Sequence, residues 1–137
     1  NRYLPCDETA LPTGDVAMVD GTGFDFLTSR PVEGTFDHNF CLADRRRNLV
    51  PVAQLFAPRS GLSMQVSTTE PGLQLYTGQG LTGGGSSHRG HGNGPFAGIC
   101  LEPQSWPDAP HNASFPSIDL TPGERYQQVS EFAFSQS

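Results

Sequence analysis

The groups best suited to proton transfer and hydrogen bonding in this 137-residue chain are few. They are a carboxylate closing an apolar run, an Asp-His pair between two phenylalanines, and a glutamine between two leucines. Glu102 follows Ile99-Cys100-Leu101 and precedes a proline-rich segment. Apolar neighbours desolvate a carboxylate and raise its proton affinity, which suits a general base. An ordinary surface glutamate at a strand end fits the same letters. Asp37-His38 lies between Phe36 and Phe40. It reads either as a hydroxyl-binding or acid–base pair or as a turn aspartate beside a satisfied histidine. Gln74, in Leu73-Gln74-Leu75, points to the opposite strand face from both leucines. There it can donate to and accept from a polyol, or simply face solvent.

Other chemistries find less support. His88 and His91 have H-x-x-H spacing, but a metal site needs a third ligand and a rigid second shell, so no metal is expected. Arg45-Arg46-Arg47 reads as a solvated turn, with phosphate binding the weaker option. All eight basic residues are Arg. The absence of Lys removes Walker-type phosphate loops, Schiff-base chemistry and Ser-Lys dyads together. A net charge of −6 argues against nucleic-acid binding. No apolar run approaches the ~18–20 residues of a membrane helix. The odd count of widely spaced cysteines, Cys6, Cys41 and Cys100, argues against a disulfide scaffold and suits a reducing cytoplasm.

The elements that must position these groups are strands. The apolar pattern has period two over Val16 to Val19, Asn39 to Leu42, Leu49 to Phe56, Leu62 to Thr68, Leu73 to Thr77, Ile99 to Glu102 and Gln127 to Phe134. Ala57-Pro58-Arg59-Ser60-Gly61 is a Pro-then-Gly turn, which makes the third and fourth of these an antiparallel hairpin. No ten-residue stretch has helical spacing. Gly78 to Gly98 carries nine glycines and reads as a long flexible loop. Pro103 to Pro116 carries four prolines and reads as a stiff one, a good support for a catalytic group just before it. The expectation is one all-β domain with long loops.

Taken in order, the segments resemble the aldose 1-epimerases (galactose mutarotases). The resemblance is carried by Tyr3-Leu4-Pro5, Leu11-Pro12-Thr13-Gly14, Phe24-Asp25-Phe26, Phe36-Asp37-His38-Asn39-Phe40 and Pro71-Gly72-Leu73-Gln74-Leu75-Tyr76-Thr77-Gly78. It continues through Gly98-Ile99-Cys100-Leu101-Glu102-Pro103-Gln104, Pro107-Asp108-Ala109, Phe115-Pro116 and Leu120-Thr121-Pro122-Gly123-Glu124. It implies a β-supersandwich of the galactose mutarotase type, of which residues 1–137 resemble the C-terminal part. It implies interconversion of the α and β anomers of a hexose by ring opening, without a cofactor. The family's base looks like Glu102 in the L-E-x-Q segment, its substrate-binding Asp like Asp37, and a substrate-contacting Gln like Gln74.

The family's general acid is a His in a T-N-H-x-Y-F-N-L segment, and no such segment occurs here. None of His38, His88, His91 and His111 matches its context. The expectation is therefore a hexose-binding fragment that is inactive alone and partners a missing N-terminal half. Two other readings stay open. One is a relative acting on hexose 6-phosphates, which would need converging arginines. The other is a non-catalytic carbohydrate-binding β-sandwich.

Overall fold

The computed structural model describes residues 1–84 and 92–136. Its strands are β1 (Arg2–Tyr3), β2 (Ala17–Met18), β3 (Asp37–Cys41), β4 (Val50–Ala57), β5 (Leu62–Thr68), β6 (Gly72–Tyr76), β7 (Cys100–Gln104) and β8 (Ser130–Gln136). The only helical element among the described residues is one 3-10 turn, Ala109–His111. The fold class is all-β, as the period-two pattern predicts. The chain divides into two compact units, residues 1–41 with 73–102, and residues 42–72 with 103–137.

The first unit is built on a sheet of order β2-β1-β3-β6-β7. β1 pairs antiparallel with β2 and β3, with Tyr3 opposite Phe40 and Arg2 opposite Cys41. Backbone bonds from Thr77 N–H to the Phe36 carbonyl (3.0 Å) and from Leu42 N–H to the Pro71 carbonyl (2.8 Å) bracket the β3–β6 pair. They make it antiparallel and set Asn39 directly across from Gln74. One face of β3 carries His38 and Phe40. There Tyr3 stacks on Phe24 at 4.0 Å, and Phe24 meets Phe36 edge-on at 5.6 Å. Such pairs contribute about 0.5–1.5 kcal/mol beyond their buried area. Leu4, Val19, Leu73 and Leu75 complete the core. Gly78 turns the chain out of β6 with φ +72, and a Cβ there would stand 2.7 Å from the Gly98 carbonyl oxygen. Both facts require glycine.

The second unit is built on a sheet of order β4-β5-β8. The turn between β4 and β5 is closed by Ser60 and Gly61 N–H groups donating to the Ala57 carbonyl, with Gly61 left-handed at φ +69. The register is continuous from Leu62 opposite Gln136 to Thr68 opposite Ser130. It sets Leu55, Met64 and Phe134 in one row and Val66 beside Phe132 in another. At the Thr68 end this face is buried, but Leu62, Phe132 and Phe134 are exposed. β4 and β8 are the sheet's edges. Trp106 anchors the loop after β7. Its indole N–H donates to the Pro71 carbonyl at 2.9 Å and its ring meets Phe115 edge-on.

Candidate active site on strands β3, β6 and β7

Asp37, Gln74 and Glu102 sit on three consecutive strands of the first unit's sheet, β3, β6 and β7. Neighbouring strands lie about 4.8 Å apart, so the outer two are roughly 10 Å apart. The closest link is between the first two residues. Gln74 Nε2 donates to Asp37 Oδ1 at 2.7 Å. In the bracketed register these residues are a diagonal cross-strand pair on one face. Leu73 and Leu75 turn to the other face and are buried, as the alternation predicts. Asp37 is exposed and Gln74 half-buried, so the carboxylate keeps room for further donors.

Glu102 differs from expectation in two ways. It lies in the middle of β7, which continues to Gln104. It is also exposed, as are Ile99 and Cys100, so its apolar neighbours do not desolvate it within this chain. A hydrophobic sequence context supplies burial only where a second layer covers the strand.

Asp37 and His38 do not form an acid–base pair through their side chains, because adjacent strand residues point to opposite faces. Instead the Asp37 backbone N–H donates to His38 Nδ1 at 3.2 Å. The His38 ring packs against Phe24 at 4.7 Å. Burial pushes the His38 imidazole below its usual value of 6.5, against the opposing pull of the Asp37 charge. Gln74, Asp37 and Asn39 share the polar face. Asn39 is 1% exposed, and neither its Oδ1 nor its Nδ2 has a hydrogen-bond partner among the described residues.

One residue outside the sequence reading, Glu70, proves central to the second unit. Glu70 is fully buried and accepts from Arg46 at both carboxylate oxygens, at 2.7 and 3.3 Å. Ser105 joins both partners, and Arg46 lies 4.3 Å over the Tyr126 ring. The bond to Glu70 raises Arg46 above the usual guanidinium value. Arg46 therefore lies with Arg45 and Arg47 on an exposed connection, but its guanidinium is committed to a carboxylate. Ion pairs 24 residues apart leave no local signal, though a Glu between Thr69 and Pro71 at a strand entry is a hint.

Two surface hollows of about 200 and 290 Å³ lie in the second unit, on the β4-β5-β8 sheet and around residues 109–119. Asp37, Gln74 and Glu102 line neither. Among the described residues no three His, Cys, Asp or Glu side chains are grouped to hold a metal, and no helix is long and apolar enough to cross a membrane. His88, His91 and Arg89 fall outside the described residues.

Comparison with known proteins bears on this arrangement. The protein-family model described as Aldose 1-epimerase matches residues 1–133. Galactose mutarotase of Rattus norvegicus is 42% identical over 144 residues, covering 98% of this chain and 42% of the rat chain. The Homo sapiens galactose mutarotase gives the same identity and coverage. The aldose 1-epimerase of Escherichia coli strain K12 is 32% identical over 151 residues. The chain spans 42% of the length of these relatives. A crystal structure of a GalM/aldose epimerase homologue from C. elegans superposes over 98% of the chain with TM-score 0.85 at 24% identity, which supports a common fold. The family match over nearly the whole length, on an all-β fold shared with that homologue, places this chain in the aldose 1-epimerase family.

Proposed function

We propose that residues 1–137 supply one wall of a site that interconverts the α and β anomers of a hexose such as galactose or glucose. The observation that carries this reading is the 2.7 Å bond from Gln74 to the exposed carboxylate of Asp37, in a chain of this family. Asp37 accepts and Gln74 both donates and accepts, which matches the alternating hydroxyls of a sugar ring. Binding energy spent on those hydroxyls orients the anomeric carbon.

Glu102 is the base. It takes the proton of the anomeric hydroxyl while a general acid protonates the ring oxygen, and the C1–ring oxygen bond breaks. The open-chain aldehyde turns about its bond to C2, and the ring recloses on the other carbonyl face as both protons return. No redox or group-transfer step is involved. Each acid–base partner contributes about 10²–10⁴ in rate. The histidine acid of the family's T-N-H-x-Y-F-N-L segment has no counterpart in this sequence. In this reading it belongs to the remainder of the family domain, together with the cover that desolvates Glu102.

A hexose 6-phosphate substrate is less well supported, because the central residue of the arginine run is bound to Glu70. The direct test transplants residues 1–137 into rat galactose mutarotase in place of the matching segment and follows galactose anomerisation by polarimetry. The hybrid is expected to turn over free galactose, whereas residues 1–137 alone leave the buffer rate unchanged. A hybrid that folds, binds galactose and fails to turn it over would leave only the carbohydrate-binding reading.

A further inference from the structure

We propose that Asn39 is a positioning residue that takes the Gln74 amide in place of Asp37 when a sugar hydroxyl occupies Asp37 Oδ1. The inference rests on the reading of Asp37 and Gln74 as hydroxyl-binding groups, and begins from an anomaly. Asn39 is 1% exposed, and both of its amide heteroatoms lack a partner among the described residues. Burying an unpaired amide costs about 1–3 kcal/mol. Leucine has the same branched skeleton of side-chain heavy atoms and no such polar cost, so shape alone does not explain an amide here.

The neighbours explain both the lack of a partner and its use. Asn39 takes its place between Leu4 and Gln74. The Leu4 backbone N–H donates to the Asn39 carbonyl at 2.9 Å, and an apolar side chain on that side offers nothing to the amide. On the other side the bracketing bonds make Asn39 and Gln74 a directly opposed, non-hydrogen-bonded strand pair. That is the closer kind, with Cα atoms about 4.5 Å apart. Gln74 nevertheless reaches past Asn39 to the diagonal carboxylate of Asp37. The preference is physical, because a hydrogen bond to a charged acceptor is roughly twice as strong as one between neutral groups.

A sugar hydroxyl that donates to Asp37 Oδ1 along the direction Gln74 now uses displaces that bond. The displaced Gln74 amide then turns to its nearest cross-strand neighbour, where two primary amides can exchange N–H···O bonds in both directions. The new pairing satisfies Asn39 and offsets the loss at Asp37. Free protein thus carries an unmet amide that sugar binding relieves.

The consequence is an exchange of stability for affinity, which a purely structural asparagine would not show. Asn39→Leu should raise the melting temperature of the protein and weaken galactose binding about five- to tenfold. In a Gln74→Ala background the same substitution should change galactose affinity no further. Thermal melts and calorimetric titration with galactose, made on the rat hybrid, read both effects. In the unsubstituted hybrid the Asn39 side-chain NH₂ resonances should move downfield as galactose is added, a readout that stands even if Asn39→Leu does not fold. A lower melting temperature with unchanged affinity, or NH₂ resonances indifferent to galactose, would overturn the role of Asn39. If Asp37→Ala and Gln74→Ala also leave the galactose affinity of the rat hybrid unchanged, or the unsubstituted hybrid gives no response, the site reading itself is overturned. If those two weaken binding and Asn39→Leu does not, only the present inference fails.

Discussion

The two units each bury one strongly polar side chain, and treat it in opposite ways. Glu70 in the second unit is fully buried with Arg46 and Ser105 on its carboxylate. Asn39 in the first unit is as deeply buried with no partner on its amide among the described residues. A satisfied buried group rigidifies its surroundings, and an unsatisfied one is a cost the fold sustains for another reason. Hence the second unit's polar interior reads as architecture. The first unit's polar face, with Asp37 and Gln74 beside Asn39, reads as a place where a ligand acts.

The sharpest break of this contrast is Arg46→Ala. It leaves the Glu70 carboxylate buried without its cation, and should cost about 3–5 kcal/mol of stability in denaturant unfolding. Loss of less than about 1 kcal/mol would show that solvent reaches Glu70 freely and that the contrast with Asn39 is false. In the first unit, Gly78→Ala forces a Cβ to 2.7 Å from the Gly98 carbonyl in a left-handed conformation. It should destabilise by about 1–3 kcal/mol. An unchanged melt would mean that the exit from β6 does not hold Gln74's strand in place.

A smaller effect comes from the exposed residues Leu62, Phe132 and Phe134 on one face of the second unit's sheet. Exposed apolar faces and open edges drive association. Phe134→Ser should lower the apparent mass of the protein in light scattering at high concentration, and no change would remove that face from consideration.

The smallest concerns pH. The folded-state value of His38 lies below 6.5 because of burial, so the unfolded chain takes up the proton first as pH falls. Stability from this group is full above about 6.5 and is lost as pH drops through its lowered folded value. Melting temperature should therefore decline from pH 7 toward pH 5, and His38→Phe should flatten that decline. An equal decline in both proteins would assign it to other groups.

Much of this architecture was legible in the sequence, and the physical reasons for the gaps are specific. Leu62–Thr68 was readable to the residue because Leu62, Met64 and Val66 alternate with polar neighbours on a half-buried sheet. The other six strands shift by one to three residues, since ends are set by pairing partners rather than by local pattern. β1 is only two residues long and carries no period. The turn Ala109–His111 follows a left-handed Asp108, a conformation that composition does not announce. At the site, the opposite faces of Leu73, Gln74 and Leu75 followed from alternation alone. The exposure of Glu102 did not, because burial depends on what lies above a strand. Arg46 with Glu70, and the orphaned amide of Asn39, arise from contacts distant in sequence that no motif encodes.

The central claim is that Glu102 is the base of a sugar site shared with Asp37 and Gln74. Its most direct test is galactose anomerisation by the rat hybrid with and without Glu102→Gln. Loss of the base should lower the rate by about 10² or more with galactose affinity largely retained. Equal rates from the two hybrids would contradict it.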